Sequence, residues 1–168
     1  MLIRPEALAR IGGIAAIRGE LIDDCALARA VKPGGSIWMG LTEETRSIRD
    51  YATFGEIRRM ISRTAFTQLH HSMLLLAGTI LAMAIIYLAP PLLILTGDRI
   101  AAVCGLAAWT LMMISYVPTL RFYDRSVAWA LLLPLIALFY TIATVDSAIS
   151  YWTGRGGLWK GRVQDAGR

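Results

Sequence analysis

The hydrophobic positions of this chain are concentrated in its second half. Residues 72–95, 100–120 and 127–145 form three stretches that contain no Asp, Glu, Lys or Arg. Each stretch has about 20 residues, which as a helix is enough to cross a hydrocarbon core of roughly 30 Å. The pattern therefore predicts an integral membrane protein with transmembrane helices in residues 72–152, followed by a basic tail at 153–168.

The segment before the first apolar stretch, residues 50–71, has helical rather than continuous hydrophobicity. Apolar side chains recur at helical spacing on one face, namely Phe54, Ile57, Ile61, Ala65 and Leu69, whereas Arg58, Arg59 and Arg63 fall on the other side. This spacing predicts an amphipathic helix in the membrane interface. The alternative is a surface helix that packs on the polar segment before it.

Residues 1–49 are polar and contain short elements. Pro5 opens a predicted helix at 5–10, which Gly12 and Gly13 end. A second helix is predicted at 20–31, with Asp23 and Asp24 in its acidic first turn. Residues 36–41 are predicted to form a strand, and residues 2–4 the end of another.

Charge and cysteine content narrow the function classes. The formal net charge is +5, but the basic residues do not cluster with interleaved aromatics, so nucleic-acid binding is not expected. The positive charge is instead expected to contact lipid headgroups. Cys25 and Cys104 have no disulfide or metal-site spacing. The adjacent His70 and His71 would not face the same way on a helix, and are expected to be interfacial polar residues rather than metal ligands.

The membrane topology is left open by two conflicting cues. Arg58, Arg59 and Arg63 before the first apolar stretch favour a cytoplasmic N-terminal segment. Three crossings would then place the tail outside, although it carries Arg155, Lys160 and Arg162. Either one apolar stretch is re-entrant or the charge bias is overridden. Asp146, at the end of the third stretch, is expected to be interfacial.

The candidate chemistry is the acidic pair Asp23 and Asp24. A carboxylate beside a bound hydroxyl is able to act as a general base. Adjacent acids in the first turn of a helix are also common as solvated residues that complement the helix dipole. The pair alone does not decide between these interpretations.

The order of several short motifs resembles that of a known family. Leu2 to Leu8 is followed by Ile11-Gly12-Gly13, by Asp23-Asp24 with Leu27 three residues later, by Arg63 to Leu69, and by the tail from Gly154 to Val163. This order resembles the second half of family-2 glycosyltransferases, in particular the membrane-bound hopene-associated subgroup that is related to ceramide glucosyltransferases.

The resemblance implies a fold and three site residues. Residues 1–49 would be an α/β fragment, the C-terminal remnant of a GT-A, Rossmann-like catalytic domain, followed by an α-helical transmembrane region of about three helices. Asp24 matches the catalytic base of the family, and Asp23 would orient the acceptor or Asp24. Arg63 matches the arginine of a Gln-x-x-Arg-Trp pattern that binds the donor diphosphate, although Met60 and Thr64 replace its Gln and Trp.

The resemblance also implies a divalent metal, Mg or Mn, held in the complete enzyme by an Asp-x-Asp motif. This sequence contains no Asp-x-Asp, so its ligands are expected outside this chain. The chain is accordingly expected to be a C-terminal piece, from a truncated gene, a mis-called start or a split enzyme whose separate partner chain supplies the N-terminal half.

The sequence thus predicts a membrane glycosyltransferase that moves a sugar from a nucleotide-sugar donor to a lipid, polyprenoid or hopanoid-type hydroxyl. The expected location is the bacterial inner membrane, with the N-terminal segment cytoplasmic. The alternative is a non-catalytic membrane scaffold or assembly subunit. A transporter fragment is less favoured, because the apolar stretches lack the charges typical of ion pathways.

Overall fold

A computed structural model describes residues 1–45 and 51–154, together with two short strands at 158–159 and 162–163. The chain divides into two compact units, one formed by Met1–Ile48 with Gly157–Arg168 and the other by Arg49–Gly156. Each unit is described by itself below.

The first unit is built from short helices. Helix α1 spans Pro5–Arg10, a 3₁₀ turn spans Ile14–Ile17, helix α2 spans Asp23–Val31, and a second 3₁₀ turn spans Lys32–Gly34. Gly12 and Gly13 follow α1 with φ values of 85° and 77°, a backbone conformation that favours glycine. Among the described residues of this unit only Ala26 and Leu27 are buried, so its core is small.

The prediction of an α/β fragment in residues 1–49 is wrong. Within residues 1–45 the structure has helices and turns but no strand, and both predicted strand segments, 2–4 and 36–41, are irregular. A strand needs a neighbour to pair its backbone groups and a surface to cover its side chains. Residues 36–41 have neither, since Trp38 and Met39 are 86% and 96% exposed. The strands that are described, β1 (Leu158–Trp159) and β2 (Arg162–Val163), form only a two-residue antiparallel pair.

The second unit consists of helices. Helix α3 spans Phe54–Gln68 and is followed by a turn at 69–72. Helix α4 (Met73–Met83), a π-helical segment (Ala84–Leu88) and α5 (Ala89–Ile94) then form one continuous helix. Helix α6 spans Arg99–Phe122, and a 3₁₀ segment, Val127–Leu132, leads into α7, Leu133–Trp152. Three segments are long and apolar enough to cross a membrane, Met73–Ile94, Arg99–Phe122 and Val127–Trp152. The prediction of about three apolar helices in the second half is therefore confirmed.

The π-helical segment has a local cause. Pro90 and Pro91 have no backbone N–H, so they cannot donate to the carbonyl groups one turn earlier, and their rings crowd that turn. The preceding residues, Ala84–Leu88, adopt the wider π form. The helix continues through both prolines to Ile94 and keeps the length of a membrane span.

Helix α3 begins at a capping arrangement. The hydroxyl of Thr53 accepts a hydrogen bond from the Glu56 backbone N–H at 3.3 Å, and the Glu56 carboxylate accepts one from the Ala52 N–H at 2.9 Å. These contacts satisfy backbone donors that a helix N-terminus otherwise leaves unpaired.

Helix α3 is held on α7 by Phe66. The Phe66 side chain is 1% exposed and packs with Leu76 of α4 and Ala148 of α7. Its backbone N–H donates to the Ser147 hydroxyl at 3.0 Å. The predicted apolar stripe did not include Phe66, and Phe54, which it did include, is 76% exposed. One aromatic side chain therefore joins three helices.

We expect Phe66→Ala to destabilise this unit far more than Phe54→Ala. Truncating a buried Phe removes its contacts and leaves a cavity, a change that costs about 3–5 kcal/mol in well-packed proteins, whereas Phe54 is mostly exposed. Thermal unfolding of the purified full chain in detergent, followed by circular dichroism, measures both variants. Equal shifts in midpoint temperature for the two variants would contradict the assignment of Phe66 as the anchor.

Candidate functional site

The acidic pair lies at the N-terminus of α2. Asp23 and Asp24 are the first two residues of the helix, and both are exposed. One Asp23 carboxylate oxygen accepts a hydrogen bond from the Asp24 backbone N–H at 3.0 Å, and one Asp24 oxygen accepts from the Cys25 N–H at 2.8 Å. The positive end of the helix dipole favours negative charge here. Each of these backbone hydrogen bonds uses one of the two oxygens of its carboxylate.

The Asp24 charge affects the pKa of the neighbouring Cys25 thiol. Local desolvation of the sulfur and the adjacent Asp24 carboxylate raise the pKa of Cys25, and Arg29 opposes them. A thiolate close to a carboxylate is disfavoured because the two negative charges repel. Cys25 thus provides a probe for the electrostatic environment of the candidate base.

Arg63 lies in the other unit, on α3, where it is partly buried. Its position follows from the docking of α3, because Phe66, one turn further along, is fixed against α4 and α7. Arg63, the residue predicted to bind the donor diphosphate, therefore lies on a packed helix of the second unit. Asp23 and Asp24 lie at the start of α2 in the first unit.

A polar cluster that the sequence did not reveal joins α3 to α7. The Ser62 hydroxyl donates to the Asp146 carboxylate at 3.0 Å, and the Arg58 guanidinium lies 3.9 Å from the same oxygen. Asp146, for which an interfacial position at the end of an apolar stretch was predicted, lies within α7 and contacts α3. A lone acid in an apolar segment preceded by a basic helix is the signal that could have found this pairing.

The histidine pair forms the turn between α3 and α4. His70 and His71 have φ values of 51° and 54°, which reverse the chain direction. The His71 ring stacks on Tyr151 with centroids 4.1 Å apart, and one ring nitrogen lies 3.4 Å from the Thr67 hydroxyl. His71 thus has a packing role at the end of α7.

The residues that the structure describes do not fit a divalent metal site. Within them, no group of three or more His, Cys, Asp or Glu side chains is placed to hold a metal ion. The predicted Gly-rich tail falls largely on residues outside the described part of the chain.

Three helices with the length and composition of membrane spans indicate a membrane protein. Comparison with protein families then gives the class of protein: the model of glycosyl transferase family 21 matches residues 1–163. The chain belongs to this family, which is ceramide glucosyltransferase-like. No curated protein and no solved structure matches the chain.

We expect the alkylation rate of Cys25 to report on Asp24. A raised pKa keeps the thiol protonated to higher pH, so at pH 8 the sulfur should react more slowly with iodoacetamide than a free cysteine does. Asp24→Asn removes the neighbouring negative charge, so the midpoint of the rate-versus-pH curve should move to lower pH.

The measurement uses the full chain with Cys104 replaced by Ala, so that only Cys25 reacts. Glu20→Gln is the matched control, because it removes an exposed acid that does not contribute to the raised pKa of Cys25. A profile that Asp24→Asn leaves unchanged, or that Glu20→Gln moves as far, would contradict the placement of the Asp24 carboxylate.

Proposed function

We propose that this chain forms the acceptor side of a membrane glycosyltransferase that transfers a sugar from a nucleotide-sugar donor to a lipid hydroxyl of the polyprenoid or hopanoid type. The observation that carries the proposal is the match of glycosyl transferase family 21 along residues 1–163 of a chain with three membrane-length helices. A site attached to such helices receives a lipid acceptor by lateral diffusion, and its reacting hydroxyl stays near the membrane surface.

In this proposal Asp24 is the general base. One oxygen of its carboxylate already accepts the Cys25 N–H, which fixes the orientation of the group. The other oxygen takes the proton of the acceptor hydroxyl while the hydroxyl oxygen forms a bond to the anomeric carbon. The bond between that carbon and the diphosphate breaks, and the diphosphate leaves with the electron pair. A single displacement of this kind inverts the anomeric configuration.

Asp23 and Arg63 have supporting roles in the proposal. Asp23 accepts the backbone N–H of Asp24 and so stabilises the first turn that presents the base. Arg63 pairs with oxygens of the donor diphosphate, for which a planar guanidinium is well suited. The docking of α3 through Phe66 supports this role, because it limits the positions that Arg63 can take.

The donor-binding half and the divalent cation are proposed to lie outside these 168 residues. Two observations support this: the sequence contains no Asp-x-Asp motif, and the described residues offer no metal-binding group. The proposed reaction routes no step through a metal. The donor-binding half is proposed to come from sequence outside these residues, and the proposed location is the bacterial inner membrane.

We expect Asp24→Asn to reduce sugar transfer by about 10²–10⁴-fold, the usual contribution of a general base. Membranes from source cells that carry the variant are supplied with radiolabelled nucleotide sugars, and labelled lipid is measured by thin-layer chromatography. Asp23→Asn should reduce transfer less, and Glu20→Gln, the exposed acid before α2, should leave it unchanged.

The outcomes of this assay decide whether Asp24 is the base and whether the chain takes part in sugar transfer. Full transfer by Asp24→Asn at normal protein level would exclude Asp24 as the base. If deletion of the whole gene leaves lipid labelling unchanged with every nucleotide sugar supplied, the chain is instead a non-catalytic scaffold.

A further inference from the structure

The first membrane-length segment, Met73–Ile94, lies antiparallel to the third, Val127–Trp152, and α4 and the π-helical segment of the first contact α7 of the third. Leu76 near the start of the first and Ala148 near the end of the third belong to one buried cluster with Phe66. Met83 and Tyr87 line a cavity together with Ala137 and Tyr140, about two to three helical turns away from that cluster on each helix. Leu88 and Leu92 share another with Leu131 and Leu135. Residues later in the first segment thus lie beside residues earlier in the third, so the two segments run in opposite directions.

This pairing places residue 73 and residue 152 at the same end of the helix pair, which we call the α3 end. His71, just before α4, stacks on Tyr151, and Phe66 contacts Trp152 ring edge to ring face at 5.5 Å. Ile94 and Val127 lie at the opposite end, which we call the far end. The chain therefore leaves the pair at the far end and returns to it at the far end.

Helix α6 connects these two points, and its contacts stay close to the far end. A Cβ added to Gly105 would lie 2.5 Å from the Pro90 carbonyl oxygen and 2.9 Å from the Leu93 side chain. Leu120 at the other end of α6 packs with Ala130 and Leu133.

The middle of α6 also contacts the first and third segments near the far end. Trp109 lines the cavity that is bounded by Leu88 and Leu92 on one side and by Leu131 and Leu135 on the other. Met112 and Met113 pack beside Tyr87. Because α6 is a single helix of 24 residues that touches both partners near their far ends, it crosses the pair obliquely and does not run back along it.

We propose that α6 does not cross the membrane and that the chain crosses it twice, through Met73–Ile94 and Val127–Trp152, with both the α3 end and the end of α7 at the cytoplasmic face. Three complete crossings would put residues 73 and 152 on opposite faces, about 30 Å apart. The shared cluster of Leu76 and Ala148 and the stacking of His71 on Tyr151 are incompatible with that separation.

The distribution of basic residues supports two crossings. Counting Lys and Arg from residue 58 onward, two crossings put seven on the α3 side and three, Arg99, Arg121 and Arg125, on the far side. Three crossings would divide them five and five, with no bias at all. Since basic residues accumulate in cytoplasmic loops, the two-crossing arrangement satisfies the rule on which membrane orientation depends.

The ends of α6 fit a position at the far surface. Asp98 caps its N-terminus by accepting the Ala101 N–H at 2.8 Å, and Arg99 follows. Arg121, Asp124 and Arg125 lie at its C-terminal end and are exposed. Both charged ends thus reach water or headgroups at one face, and the uncharged middle of the helix dips toward the hydrocarbon.

Single-cysteine labelling of the full chain in spheroplasts tests this topology. One variant keeps only Cys25, and three others carry Thr96→Cys, Ser126→Cys or Thr153→Cys with both native cysteines replaced; all four positions are exposed. A membrane-impermeant maleimide should label positions 96 and 126 in intact spheroplasts, and positions 25 and 153 only after permeabilisation.

The three-crossing arrangement gives a different grouping. Position 126 would then behave like position 25, and position 153 like position 96, which would overturn the proposal. Labelling after permeabilisation is the internal control for the reactivity of each thiol.

Cross-linking provides a second measurement that does not depend on labelling. In the cysteine-free chain, the pair Leu76→Cys and Ala148→Cys should form an intramolecular disulfide when membranes are oxidised. The matched pair Leu76→Cys and Ala137→Cys should not, because Ala137 lies roughly 16 Å further along α7. Cross-linking of neither pair, or of both equally, would overturn the antiparallel pairing on which the proposal rests.

Discussion

The arrangement of the helical unit depends on the burial of Phe66 between three helices. This side chain is almost completely removed from solvent, and it lies where α3, α4 and α7 meet. The Ser147 hydroxyl accepts a hydrogen bond from the Phe66 backbone N–H, so a directional contact fixes the register of α3 on α7 in addition to the apolar packing. Asp146, the residue before it, extends the contact toward Ser62 and Arg58. This junction holds α3 and its Arg63 against α4 and α7.

The polar cluster at Asp146 contributes more to position than to stability. The Arg58 and Asp146 side chains are about half exposed, and exposed ion pairs contribute little because water and salt screen them. The hydrogen bond from Ser62 is directional, however, and it fixes the rotation of α3 about its own axis. Apolar burial holds the helix in place, and the polar contacts select which face it presents. Because α3 carries Arg63, the face that α3 presents determines whether the Arg63 guanidinium is able to reach the donor diphosphate in the proposed function.

The two-crossing topology and the proposed chemistry are consistent with each other but independent. A return of α7 to the face that carries α3 would put both ends of the helical unit beside the compartment that holds nucleotide sugars. Two crossings also leave α6 as a long apolar helix near the opposite surface, where it widens the anchor without carrying the chain across. The antiparallel placement of the first and third segments carries this conclusion, whatever reaction the complete enzyme performs.

The sequence by itself determined the apolar helices, the helix at 54–68, the first helix at 5–10 and the family resemblance, because hydrophobic period, capping residues and motif order are local properties. It wrongly predicted strands at 2–4 and 36–41, since strand formation depends on a pairing partner that the local sequence does not reveal. Tertiary structure alone decided that Phe66 rather than Phe54 is the anchor, and that Asp146 meets Ser62 across more than eighty residues of chain. It also decided that the third apolar segment runs back along the first, because each segment is apolar on nearly all sides and only packing selects its neighbours.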